Sequence, residues 1–125
     1  MATRTLAPME IPEKTSYRYT SLLLKEDGTP LVATDLTTLT LTLYSLTTLA
    51  IINGVNDLDI LNANRGTVDA NGLLTILLQP ADTVILVDTN LTEERIMLIE
   101  ATYAAGARAS RHEVQLTIRN LALVA

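Results

Sequence analysis

The 125-residue sequence predicts an all-β protein built as an antiparallel sandwich. Residues 36–44 alternate leucine with threonine almost strictly, and strand side chains alternate between two faces, so Leu39, Leu41 and Leu43 would share one face. Aliphatic residues and threonine dominate the composition, with no Phe and no Trp, and this favours strands. Turn residues also recur between the apolar segments at roughly ten-residue spacing.

Length and composition indicate one globular domain. A chain of 125 residues, 48% of them hydrophobic, can bury about two-thirds of its unfolded surface. The formal net charge of −5 provides no basic surface for phosphates, so direct nucleic-acid binding is not expected. The sequence has no cysteine, which excludes disulfide bonds and thiolate metal sites.

The N-terminal segment contains two prolines and no strand or helix periodicity, which predicts an extended arm. We therefore expect an arm at residues 1–14, a sandwich domain at residues 15–121 and a short tail at residues 122–125. The arm lacks the apolar centre of a secretory signal, and no apolar run approaches the length of a membrane span. We expect synthesis in a bacterial cytoplasm and no membrane partner.

The first strands of the domain are predicted at residues 15–24 and 38–46. Between them, Asp27 and Gly28 form a tight turn that needs a positive φ, and Pro30 cannot donate to a strand ladder. Residues 31–36 would lead into the second strand.

The middle of the chain is predicted to contain more loop than strand. Residues 47–52 are expected to form a short strand, and the polar residues 53–66 a long loop. A hairpin is expected from residues 67–69 and 72–78, because an Asn-Gly pair at their junction is a strong turn signal.

The last part of the chain is predicted to hold the two longest strands, at residues 95–103 and 111–121. They are preceded by one helical turn at residues 80–83, which begins with proline and has an acidic residue near its start. Residues 84–87 would extend this turn or form a short strand. Alternating apolar and polar residues in the final strand indicate one buried and one exposed face.

Seven or eight short strands and one helical turn describe an immunoglobulin-like antiparallel β-sandwich. A jelly roll is the alternative architecture, and a small barrel fits the pattern less well.

The sequence shows no pattern of a catalytic site. His112 is the only histidine, and Ser110 and Glu113 are close to it in sequence. Adjacent strand residues point to opposite faces, so these three cannot form a triad, and a surface histidine at a strand start is expected instead. Glu93 and Glu94 are adjacent and would not face each other across a cleft. We expect no enzyme activity and no catalytic residue.

Residues 57–64 form the best metal candidate, because calcium binds clustered carboxylate and amide oxygens. Their spacing does not match a calcium loop, since Leu61 occupies a ligand position and Asn62, not glycine, follows it. We therefore expect polar side chains that cap turns, with Leu58 and Leu61 packed inward, and no metal or cofactor.

Two other patterns have structural explanations. Asn90 begins a glycosylation acceptor sequence, which is a chance match in a chain without a secretory signal. A stacking platform of tyrosines would need exposed rings, whereas core and rim positions are the more common role. The tyrosines are Tyr17, Tyr19, Tyr44 and Tyr103.

Several segments follow one another in a specific order: a strand, an Asp-Gly turn, an alternating strand, another strand, a helical turn and a closing hairpin. These are residues 22–24, 25–30, 36–44, 72–79, 80–83 and the hairpin around Gly106. The order resembles that of small immunoglobulin-like domains in tailed-phage virions, in particular the N-terminal domain of phage baseplate upper proteins. It covers most of residues 15–121, and the long loop at residues 53–66 departs from it.

The resemblance implies a non-enzymatic virion protein at the capsid surface, neck or tail and baseplate, present in several copies and docked to other virion proteins. We expect contacts through the arm, which has apolar anchors, and through the uncharged threonine face, which can be covered at low desolvation cost. The expected contact residues are Arg4, Leu6, Met9, Ile11, Thr38, Thr40 and Thr42. The alternative function is a carbohydrate- or receptor-binding module.

Overall fold

The computed structural model describes residues 9–121, which form eight strands in two sheets. The strands are β1 (Met9–Pro12), β2 (Tyr17–Leu22), β3 (Leu36–Ser45), β4 (Leu58–Asp59), β5 (Gly66–Val68), β6 (Leu73–Leu78), β7 (Thr92–Tyr103) and β8 (Arg108–Arg119). Within this range the only helical elements are two 3-10 turns, Ala33–Asp35 and Pro80–Thr83. The predicted all-β sandwich is confirmed.

The larger sheet has the strand order β1-β8-β7-β3-β4, and the smaller sheet has the order β2-β6-β5. All neighbouring strands are antiparallel except β1 and β8, which are parallel. The separation of β3, β7 and β8 from β2, β5 and β6 matches the two sheets of an immunoglobulin sandwich.

The dry layer between the sheets follows from the alternation seen in the sequence. Leu39, Leu41 and Leu43 of β3 are each 0% exposed and face the smaller sheet. The register places them beside inward residues of β7, and β8 continues the same layer. These neighbours are Met97, Ile99, Ala101, Val114, Leu116 and Ile118. The smaller sheet contributes Tyr19, Val68, Leu74, Ile76 and Leu78.

The glycine turns form where the sequence predicts them. Gly28 has a φ of +88°, and its N–H donates to the Lys25 carbonyl at 3.0 Å. Gly72 has a φ of +83° between β5 and β6, and an added Cβ would lie 3.1 Å from the Leu31 carbonyl oxygen. Glycine is therefore needed at residue 72 both for its backbone conformation and for the close approach.

Part of the expected N-terminal arm belongs to the domain itself. Residues 9–12 form β1, which pairs with residues 116–119 of β8, so the sandwich begins before the boundary expected at residue 15. The rest of the arm, residues 1–8, and the tail at residues 122–125 lie outside the described residues.

Two predictions for the middle of the chain are wrong. Residues 47–52 form a turn and not a strand, because the Leu49 N–H donates back to the Ser45 carbonyl at 2.8 Å and only Ile51 makes a bridge. The segment expected to be a continuous loop at residues 53–66 contains β4, which pairs with the edge of β3 that faces away from β7.

No helix among residues 9–121 has the length and apolar character that crossing a membrane would require.

We expect the two faces of β3 to respond differently to truncation. Leu41→Ala removes a 0%-exposed side chain and should lower the free energy of unfolding by about 2–5 kcal/mol through lost burial and a residual cavity. Thr40→Ala, at the adjacent position on the outer face, should change it by about 0.5 kcal/mol or less. Denaturant titrations of both variants test this, and equal losses would contradict the assignment of faces.

Candidate functional site

Ten large hydrophobic residues within residues 9–121 are exposed, and seven of them lie at one end of the sandwich. At this end β3 and β8 finish and β7 begins, so the loops attached to these strands come together. We call this surface the apolar end. Its exposed residues are Leu46, Leu49, Ile51, Leu86, Val87, Leu91 and Leu121.

The apolar end carries little charge. Residues 46–51, residues 86–91 and Leu121 include one charged side chain, that of Asp88. Leu49 is 67% exposed. Single exposed aliphatic residues are common on soluble proteins, but a group of seven on one surface with little charge is typical of a contact site.

Glu93, at the start of β7, fixes the loop at residues 86–91. Its carboxylate accepts the Leu86 N–H at 2.7 Å, the Val87 N–H at 2.9 Å and the Asn90 side-chain amide at 2.9 Å. Burial alone would raise the pKa of Glu93, but these hydrogen bonds and the Arg95 charge lower it below its ordinary value. The carboxylate therefore stays ionised and holds both loop amides.

Arg95 supports Glu93 from inside the sandwich. Its side chain is 0% exposed, lies 3.1 Å from a Glu93 oxygen, and donates to the Val84 carbonyl. Burial lowers the pKa of Arg95, and the Glu93 charge opposes this change. A buried guanidinium is costly unless it is paired, so removal of Glu93 would leave an uncompensated charge.

Asn120 holds the same loop from the other side. Its N–H donates to the Leu91 carbonyl at 2.8 Å, and its side-chain amide donates to the Asp88 and Asn90 carbonyls, both at 2.9 Å. The loop backbone is thus held through both its N–H and its C=O groups, while Leu86, Val87 and Leu91 remain exposed. The expected extension of the helical turn, or short strand, at residues 84–87 is not formed.

A second buried carboxylate ties together the segments beneath these loops. Asp82 is 1% exposed and pairs with Arg65 through two contacts of 2.6 and 3.0 Å. It also accepts the Asn53 side-chain amide at 2.9 Å and the Gln79 N–H at 2.8 Å. The 3-10 turn Pro80–Thr83, the segment after β3 and the start of β5 are joined at this residue.

The remaining exposed hydrophobic residues form a smaller patch on the outer face of the three-stranded sheet. Leu22 lies opposite Leu73 in the register, and Leu77 lies opposite Arg18. This patch has fewer exposed aliphatic side chains than the apolar end, and the charged residue Arg18 lies directly opposite Leu77.

The opposite end of the sandwich has an open depression of about 510 Å3 beside the β7–β8 turn. The Tyr103 hydroxyl donates to Glu26, which also pairs with Arg108, and the Tyr103 hydrogen bond lowers the pKa of Glu26. Lys25 lies 3.4 Å from Asp35. The charged groups around this depression are paired with one another, which weakens it as a ligand site.

The contact residues expected on the arm lie in different parts of the structure. Arg4 and Leu6 lie outside the described residues. Met9 is in β1, opposite Leu116 of β8. Ile11 is 1% exposed in the core of its own domain, which corrects the expectation that its side chain is offered to a neighbouring subunit.

The expected threonine face is only partly available. Thr38 is exposed, and its hydroxyl lies 2.6 Å from that of Thr102. Thr40 is half-buried and sits opposite Glu100, so the face is not free of charge. Thr42 is 8% exposed and accepts the Asp57 N–H at 3.0 Å, which corrects its expected role as a free contact.

His112 is not the surface residue at a strand start that the sequence predicted. β8 begins at Arg108, so His112 lies within the strand on its inner face, opposite Ile99, and is half-buried. Burial lowers its pKa below the ordinary value of 6.5. No hydrogen bond joins it to Ser110 or Glu113, and its Nε2 has no partner within the described structure.

The polar loop before β5 caps its own turns, as expected. Asp59 accepts the Leu61 N–H at 3.0 Å, and Asn62 accepts the Val68 N–H at 2.8 Å. Leu58 and Leu61 are packed against the core. Residues 9–121 contain no group of three or more His, Cys, Asp or Glu side chains placed to hold a metal ion.

No protein-family model matches this sequence, and no curated protein and no solved structure matches it significantly. Function is therefore inferred from the surfaces of the molecule itself.

The apolar end is not evident from the sequence alone. The available signal was the presence of large aliphatic residues, such as Leu49 and Leu91, beside turn-forming Thr, Asn and Asp. In the sequence, residues 47–52 look like a short strand, and Leu91 lies in a predicted loop before the strand at residues 95–103. The loops come together only because β3 and β8 end, and β7 begins, at the same end of the sandwich.

We expect Glu93→Gln to loosen the loop at residues 86–91. The amide keeps the shape of the side chain but removes its charge, which leaves buried Arg95 without its carboxylate. The free energy of unfolding should fall by about 2–4 kcal/mol, and amide hydrogen exchange at Leu86 and Val87 should become faster. Asp88→Asn in the same loop is the control. Equal exchange in both variants would argue against the role of Glu93.

We expect His112 to make stability depend on pH. Because its pKa is lowered in the folded protein, the unfolded chain takes up a proton first as the pH falls below about 6.5. The free energy of unfolding should then decrease by at most about 1.4 kcal/mol per pH unit. Chemical denaturation between neutral and mildly acidic pH measures this slope. His112→Gln should remove this contribution, and an unchanged slope in the variant would contradict it.

Proposed function

We propose that this chain is a non-enzymatic structural component of a tailed-phage virion that acts by docking to other virion proteins. The observation that carries the proposal is the apolar end, where seven large aliphatic residues are exposed on segments that include one charged side chain, that of Asp88. The Glu13 carboxylate borders this surface and accepts the Leu121 N–H at 3.0 Å. Such a surface favours contact with protein over binding of a charged or strongly polar ligand.

The apolar end is large enough to support a specific contact. Full burial of an aliphatic side chain contributes about 1.5–3 kcal/mol, so a side chain that is half-exposed contributes about 1 kcal/mol. Seven such residues together provide several kcal/mol, part of which is offset by the entropy lost on association. The net binding free energy of such a contact is modest when it acts alone.

The rigidity of the loop strengthens the proposal. Glu93 and Asn120 hold the backbone of residues 86–91 through side-chain hydrogen bonds, so the exposed leucines are positioned before any partner binds. A surface that is ordered in advance loses less conformational entropy on association than a free loop.

The virion setting is supported by the order of segments that resembles immunoglobulin-like domains of tailed phages. In a particle, several copies and several partners are held together, so a modest contact gains from the effective concentration. The proposed location is the virion, at the capsid surface, neck or tail and baseplate, after synthesis in the bacterial cytoplasm. The proposed partners are other virion proteins and further copies of this chain.

The alternative, a carbohydrate- or receptor-binding module, has less support. Sugar sites commonly stack a ring on an exposed aromatic side chain. The described tyrosines are all buried or half-buried, and Tyr103 at the open depression is 5% exposed and engaged with Glu26.

We expect charge at the apolar end to prevent incorporation into particles. A tagged chain should co-sediment with purified particles from producing cells, whereas the double variant Leu49→Asp/Leu91→Asp should be lost from them, because two carboxylates would be desolvated in the contact. Immunoblotting of gradient-purified particles measures the retained fraction. Thermal unfolding of the isolated variant establishes that it still folds.

Leu77→Asp is the matched control, since residue 77 is an exposed leucine on the outer face of the smaller sheet. This variant should be retained like the unchanged chain. Absence of the unchanged chain from particles would contradict the virion role. Retention of the double variant would contradict the role of the apolar end.

A further inference from the structure

The loop that follows β3 is held in place by its own backbone. Ser45 donates its N–H to the Ala50 carbonyl at 2.9 Å, and its carbonyl accepts the Leu49 N–H at 2.8 Å, which closes a hairpin loop of four residues, 46–49. The Ser45 hydroxyl also accepts the Thr48 N–H at 3.3 Å. Because these bonds set the path of the loop, the backbone conformation of Leu49 is imposed by its surroundings.

Leu49 has a backbone conformation that suits other residue types. Its φ is +62°, in the left-handed region, where the Cβ of an L-residue crowds the following carbonyl oxygen. Glycine, asparagine and aspartate occupy this region at lower cost. Among residues 9–121, eight non-glycine residues have a positive φ, and four of them are asparagine or aspartate. Leu49 is the only large aliphatic residue in this group, so the leucine lowers the stability of its own fold.

Burial does not compensate for this strain. Leu49 is 67% exposed, the largest value among the exposed large hydrophobic residues that the structure describes, whereas Leu46 and Ile51 beside it are 43% and 42% exposed. Its side chain thus protrudes beyond its neighbours at the apolar end and packs little against the core. A strained, exposed residue that the fold would gain by replacing points to a function of the side chain itself.

We propose that Leu49 is the anchor of the contact at the apolar end and that it fills an apolar, uncharged pocket on a different virion protein. Residues 46–51 include no charged side chain, so a charged partner surface would lose its water here without gaining a counter-charge. A protruding side chain also requires a concave partner, and anchors that fill desolvated pockets supply much of the energy of an interface. This inference rests on the proposed function.

Two depressions on the surface of this chain fit such a side chain poorly. The depression of about 510 Å3 at the opposite end is bordered by Lys25 and Arg108. A smaller one of about 190 Å3, beside β8, is bordered by Arg111 and Glu113. Insertion of a leucine would take these charged groups out of water. A different protein is therefore a better-matched partner for the anchor than a second copy of this chain.

Thermal unfolding tests the strain. Leu49→Asn should raise the unfolding midpoint by about 2–5 °C, because asparagine adopts the left-handed conformation at lower cost. Leu91→Asn is the matched control, since Leu91 is also at the apolar end and is 57% exposed, but its φ is not positive. The control should not be stabilised. A midpoint lowered by Leu49→Asn would contradict the strain and, with it, the argument for an anchor.

Incorporation into particles tests the anchor. The retained fraction of tagged Leu49→Asn should fall by about tenfold or more in gradient-purified particles, because a leucine buried in a pocket contributes roughly that factor to affinity. Leu91→Asn should fall less, and Leu49→Met, which keeps an apolar side chain, should be retained like the unchanged chain. A leucine that serves only its own fold would not give a variant that is more stable yet lost from particles.

Retention of Leu49→Asn beside a retained unchanged chain would overturn the anchor and leave the proposed function standing, whereas absence of the unchanged chain from particles would overturn both. Equal loss of Leu49→Met would contradict an apolar pocket. Sedimentation equilibrium of the unchanged chain separates the two kinds of partner. A dimer that Leu49→Asn abolishes would make the partner a second copy and overturn the assignment to a different protein.

Discussion

The dry layer between the two sheets is the constraint on which the rest of this structure depends. It is filled almost wholly by aliphatic side chains, which have no polar groups to satisfy, so any charge that reaches it must bring a partner. Arg95 is paired with Glu93, and Asp82 with Arg65. The ion pairs that close the interior also hold the neighbouring loops, so core packing and loop position are coupled.

This coupling explains how hydrophobic residues can remain exposed without disordering the loops that carry them. At the apolar end, the backbone is satisfied by Glu93 and Asn120, and the leucines are not needed to fold the loop inward. Their exposure is then compatible with a stable fold and available for contact.

The sites could be predicted from the sequence only in part. The alternation in β3 correctly placed Thr38 on the outer face, but it could not show that Thr42 is covered by the Asp57 N–H. The arm was expected to be separate because it contains two prolines and no strand periodicity, yet Ile11 pairs with Ile118 near the other end of the chain. Such partners are set by contacts between distant segments, for which local patterns carry no information.

The sequence by itself determined the strands with strict alternation, the glycine turns and the all-β class, because side-chain period and backbone φ are local properties. It also determined that charge is scarce in the segments that become the apolar end. Only the tertiary structure decided which loops meet there and that β1 joins β8. These features depend on how strands order themselves in a sheet, and that order follows from the burial of the whole interior.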